Sequence, residues 1–251
     1  MSSSSSAKVF RSLGLALWVP AVFIGAQIVT LLLFMAIAFI APGFKSIDQA
    51  VYSTVFAAAS YSLALLGAAG IPYLLWRRRI TGEVFGLQRL LGWSDIGIGA
   101  FALLPYYIIA GILLWLASWL FPVLNGSHAQ EIPYQNLTQQ YEYLAAFIAL
   151  VVLAPFAEEA LFRGYFLGKL QRIIGGWRAV LIVAVVFALL HLPGAVTQQG
   201  IDLQWMVMID VFALGLVLGA LRILTGSIWA GVLLHMFKNM IAFYFLFIYR
   251  G

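Results

Sequence analysis

Long apolar stretches, separated by short polar or basic breaks, make up almost the whole chain. Seven of them are long enough, or nearly so, to cross a bilayer core that needs about 20 helical residues: Leu13 to Ala41, Val51 to Trp76, Ile96 to Phe121, Tyr143 to Gly168, Trp177 to Leu192, Trp205 to Arg222, and Ile228 to Tyr249. Their apolar residues are continuous rather than alternating, which predicts helices and not the strands of a barrel. The fifth and sixth are short, and tilted or re-entrant alternatives stay open for both. The expected fold class is all-α, a polytopic transmembrane helical bundle of about 7–8 spans enclosing a polar cavity.

The breaks carry the charge, and the charge sets the orientation. Lys8 and Arg11 precede the first span, Arg77, Arg78, Arg79 and Arg89 follow the second, Lys169, Arg172 and Arg178 join the fourth to the fifth, and Arg222 joins the sixth to the seventh. With a cytoplasmic N-terminus all of these fall inside, and the outer loops keep only Lys45 and Arg250. The polar stretch from Asn125-Gly126-Ser127-His128 to Gln139-Gln140, with Glu131 and no Lys or Arg, reads as an outer loop. Thr81 to Asp95, with Phe85, Leu87, Leu90, Leu91 and Trp93 among charges, reads either as an amphipathic piece on the inner surface or as a connecting loop. Three segments follow: a flexible cytoplasmic tail at 1–12, N-terminal transmembrane helices and loops at 13–142, and a catalytic transmembrane core at 143–251. The first apolar run is too long for the core of a signal peptide and is expected to stay in the membrane.

Composition narrows the class further. At 64% hydrophobic and 9% charged residues, with a mean hydropathy of +1.01, a soluble enzyme is excluded. The net charge of +5 is explained by membrane topology, so no nucleic-acid partner is expected. With no Cys, disulfides, thiolate catalysis and thiolate metal ligands are all excluded.

Ionisable residues inside the spans are costly and point to function. The fourth span carries Glu158-Glu159-x-x-x-Arg163, the fifth Phe187-x-x-x-His191, the sixth Asp210, and the seventh His235-x-x-x-Asn239. Counted from the inner helix ends, Glu158, His191, Asp210 and His235 lie at roughly 15 to 20 Å depth. Glu159 and Arg163 share a helix face, so Arg163 neutralises and orients Glu159, while Glu158, rotated by about 100°, faces a cavity. His235 and Asn239 also share a face. Pro155 and Pro193 each remove a backbone donor beside a polar station and can bend or end a helix there. A Glu and a neutral His can hold a water for attack on a peptide carbonyl, and a second His with an Asn amide suits a developing oxyanion. Asp210 reads as a structural partner of Lys238 or Arg222, Phe187 as packing, and Lys238 has no assigned catalytic role.

This ordered set resembles the motifs of the CAAX protease and bacteriocin-processing family of intramembrane proteases, the CPBP or Abi family, over roughly Leu144 to Ile248. The resemblance implies a peptidase in which Glu158 and His191 activate the water, His235 and Asn239 form the oxyanion site, and Glu159 and Arg163 support them. It also implies a peptide or membrane-protein substrate, prenylated or not. Cofactors are expected to be none. The zinc alternative, with Glu158, His191 and His235 as ligands, is disfavoured because no His-Glu-x-x-His motif is present and Asn is a poor zinc ligand. A proton-coupled transporter and a non-catalytic scaffold are the remaining rivals. The expected location is a bacterial inner membrane, multi-pass.

Overall fold

The apolar stretches fold as helices close to the bounds their composition predicts. The computed structural model describes residues 2–77, 81–122, 134, 137–197 and 200–249. Arg78, Arg79, the loop residues Asn125 to His128, Glu131 and Arg250 lie outside the described residues. Helix α1 spans Ser2–Ile40, α2 Gln49–Trp76, α3 Trp93–Phe101 and α4 Leu103–Leu120. The long central helix, Gln140–Ile174, alternates in register: α5 (Gln140–Phe147), a π-helical turn (Ile148–Leu153), α6 (Ala154–Glu158), a longer π segment (Glu159–Leu167) and α7 (Gly168–Ile174). Then come α8 (Gly176–Leu189), α9 (Trp205–Thr225), α10 (Trp229–Phe243) and a closing π turn at Tyr244–Ile248. Among the described residues, six helices are long and apolar enough to cross a membrane, and α8 is a shorter apolar one.

Two details differ from expectation. Helix α1 already includes the serine run, so most of the segment 1–12 expected as a tail is helical. No Pro or Gly precedes Gly14, so nothing in the sequence interrupts a helix propagated from the apolar run. A short antiparallel hairpin, β1 (Pro193–Thr197) and β2 (Gly200–Leu203), joins α8 to α9 and is added to the otherwise helical fold. Its cause is local: Pro193 cannot continue a helix, and the β-branched Val196, Thr197 and Ile201 suit a strand.

The helices pack around the central one. α1 lies on α2, α8 along α9, α9 on α4, and α10 on α3. Phe162 and Phe166 of the central helix meet Ala64 and Ala68 of α2 and Val183 and Phe187 of α8 in the largest buried cluster. Helices α8 and α9 approach closely because Gly215 and Gly219, four apart on α9, face Ala184 and Val180 on α8; a Cβ on Gly219 would come within 2.7 Å of a Val180 methyl. Close approach through small residues replaces the hydrophobic drive that lipid removes.

The segment Thr81 to Asp95 holds one 3₁₀ turn, Gly82–Phe85, and is strapped onto the helix ends rather than laid flat on a surface. The Phe85 backbone sits against Gly164 where any Cβ would overlap it. The Trp229 indole N–H donates to the Arg89 carbonyl at 2.8 Å, and the Gln88 amide donates to the Gly226 carbonyl. Arg89 in turn grips Asp95 with two 2.6 Å hydrogen bonds, and Asp95 caps the Gly92 N–H at the start of α3. The apolar residues divide: Phe85 and Leu87 pack inward, while Leu90 and Trp93 are 87% and 89% exposed.

Candidate active site

The central helix separates its two adjacent carboxylates. Glu158 ends α6 and lines a cavity of about 450 Å³; Glu159 begins the π segment and points into the bundle, fully buried. Arg163, also fully buried, donates from Nη1 to Glu159 Oε1 at 2.9 Å, and its guanidinium lies 4.2 Å from the centre of the Phe187 ring. The expected pairing thus survives the change to π register. His235 Nδ1 lies 3.3 Å from the same Glu159 oxygen. A carboxylate oxygen only accepts, so Nδ1 carries the hydrogen and Nε2 is left for the cavity. Glu159 therefore ties Arg163 and His235 together from behind the cavity wall.

Four of the expected residues come together: Glu158, His191, His235 and Asn239 all line that cavity. His191 is not on a helix. Helix α8 ends at Leu189, and the His191 N–H bonds the Ala188 carbonyl at 2.9 Å, a tightened turn. Pro193 explains this, since the residue before a proline is pushed out of helical geometry. The turn leaves the Phe187 carbonyl without its helical donor, and the His191 ring takes it, Nδ1 to O at 2.8 Å. A carbonyl only accepts, so Nδ1 again carries the hydrogen and Nε2 has the lone pair in the neutral ring.

Asn239 has a partner that its spacing from His235 did not suggest. Its amide donates to the Leu150 carbonyl at 2.9 Å, across to the first π turn. In that register the Ala154 N–H bonds Ala149, and the residue five after Leu150 is Pro155, which has no N–H. One amide hydrogen of Asn239 fills the bond that Pro155 leaves open; the second stays available to the cavity.

Sequence reasoning missed Tyr61. Its hydroxyl, carried by α2, donates to Glu158 Oε1 at 2.6 Å. The available signal was the trio Ser60-Tyr61-Ser62, polar in the middle of an apolar span. Lys238 also lines the cavity, with its ammonium 3.5 Å from Asp210. Asp210 accepts from the Tyr106 hydroxyl at 2.7 Å, so its reading as a structural partner of Lys238 agrees with the geometry. For the zinc alternative, no group of three or more His, Asp or Glu donors among the described residues is arranged to hold a metal ion.

Fold and site together define a multi-pass helical membrane protein with ionisable side chains gathered around a cavity inside the bundle. Within that class, residues 140–241 match the family model described as type II CAAX prenyl endopeptidase Rce1-like. The matched span contains the two Glu, Arg163, both His and Asn239. No curated protein and no solved structure matches the chain.

Proposed function

We propose that this protein is an intramembrane endopeptidase of the glutamate type. The observation that carries the reading is the convergence of Glu158, His191, His235 and Asn239, from the central helix, the turn after α8, and α10, on one cavity. Glu158 takes a proton from a water held also by His191 Nε2 as the water oxygen attacks the peptide carbon. The second amide hydrogen of Asn239 donates to the oxyanion that forms, as does His235 through Nε2–H in the doubly protonated ring whose Nδ1–H stays on Glu159. As the C–N bond breaks, Glu158 returns the proton to the leaving amine, which balances the reaction without a further reactant. Glu159 and Arg163 act behind the wall, holding His235 in one ring orientation. No cofactor enters this scheme.

The substrate is a peptide or the membrane-embedded end of a protein, with or without a prenyl group. The prenyl endopeptidase description of the matched family supports the prenylated case. The basic residues at the inner breaks support an N-terminus in the cytoplasm, and the compact, basic, Cys-free chain with this motif set supports a bacterial inner-membrane protein.

The test is cleavage of a fluorogenic peptide pool, with and without farnesylated members, by purified protein in liposomes. Wild type is compared with Glu158→Gln and His191→Ala, each with and without chelator. The expected result is cleavage that both substitutions abolish and chelator leaves unchanged. Loss with chelator restored specifically by zinc would overturn the metal-free mechanism. A folded wild type that cleaves nothing while carrying a Glu158-dependent proton flux would overturn the peptidase.

A further inference from the structure

The base assigned above has one hydrogen-bond partner among the described residues, and it comes from outside the family-matched span. The Tyr61 hydroxyl meets Glu158 Oε1 at 2.6 Å, within the short range of O–H donors to carboxylates. A glutamate side chain has three rotatable bonds, and facing a cavity it has room to turn. Glu159, next to it, is held by Arg163 and the His235 ring; among the described residues Glu158 has only this phenol. The phenol is itself fixed, because the Tyr61 ring packs against Phe23 of α1, with ring centres 6.1 Å apart, and α1 lies along α2. A Phe at this position would fill the same space without a polar atom to satisfy inside the membrane, so the hydroxyl calls for a use.

We propose that Tyr61 is a positioning residue for Glu158: its O–H fixes the rotation of the carboxylate by holding Oε1, and leaves Oε2 as the oxygen that takes the proton from water. This rests on the reading of Glu158 as the general base. It also gives the N-terminal half of the chain a part in the site. Tyr61 is not the proton donor to the leaving group, since its own hydrogen is committed to Glu158.

The experiment uses the full chain in liposomes and the best-cleaved fluorogenic peptide of the pool, with Tyr61→Phe and with 3-fluorotyrosine or 3,5-difluorotyrosine placed at position 61. The pH is kept where all three phenols are protonated. Tyr61→Phe is expected to lower kcat roughly 10- to 100-fold with KM and the unfolding midpoint unchanged, the size of effect that a misplaced catalytic group produces. The fluorinated phenols keep the position but share the proton more strongly with the carboxylate, so kcat is expected to fall stepwise as the phenol becomes more acidic. Wild-type kcat in Tyr61→Phe would overturn the proposal. So would fluorinated enzymes that match wild type, which would leave the hydroxyl with a purely structural bond. Glu158→Gln is run alongside; full cleavage by that variant would remove the base reading itself and this proposal with it, a result distinct from a silent Tyr61→Phe.

Discussion

Asn239 and Leu150 are joined by a hydrogen bond that a proline makes necessary. The amide of α10 reaches 2.9 Å across to a carbonyl whose π-register partner, Pro155, has no N–H. One side chain thus serves the cavity with one hydrogen and the backbone with the other.

That division can be separated by a double substitution. Asn239→Ala is expected to cost about 1 kcal/mol of stability, the scale of an interhelical hydrogen bond in a membrane, and to abolish cleavage. Adding Pro155→Ala gives position 155 a backbone N–H, so the double variant should regain stability and remain inactive. Denaturant unfolding in detergent, read beside peptide cleavage, checks both halves. A double variant no more stable than Asn239→Ala would sink the account.

Glu159 and Arg163 form an ion pair with both side chains fully buried. Arg163→Met strands the carboxylate and is expected to destabilise by about 3–5 kcal/mol, whereas Arg163→Met with Glu159→Leu should lie close to wild type in stability. Cleavage should be lost in both, because His235 loses its anchor in the double variant and a well-behaved one in the single. Equal stability of the two variants in an unfolding titration would show that the pair is not coupled.

Gly164 is the seat of the strap formed by Gly82–Phe85. Gly164→Ala forces a Cβ into the Phe85 backbone and should destabilise by about 1–3 kcal/mol, as overpacking does elsewhere. The strap should also become the first place cut by a protease added on that side. An alanine variant with wild-type stability and an uncut strap would mean that the two segments separate at no cost.

The sequence made the helices and much of the site legible for the same reason. Apolar runs have few alternatives in a bilayer, and Glu158, Glu159 and Arg163 owe their faces to spacing along one helix, which short-range geometry determines. His191 lies beyond the helix because Pro193 acts backwards on the turn before it, so α8 stops at Leu189 where the span was expected to run to Leu192. The Asn239 bond depends on a π register that no residue pattern announces. Tyr61 meets Glu158 across 97 positions, and a bond of that reach is set by how whole helices pack.

Helix α8 has 14 residues and so rises about 21 Å, against about 30 Å of hydrocarbon. A turn and a hairpin follow it, and the backbone polar groups of such segments are not tolerated against lipid tails. The mismatch has to be met by a thinner bilayer or by polar surroundings on that side of the bundle. His191 stands where the helix stops. Wetting at the end of one undersized helix would bring to the proposed hydrolysis the reactant that a membrane otherwise withholds.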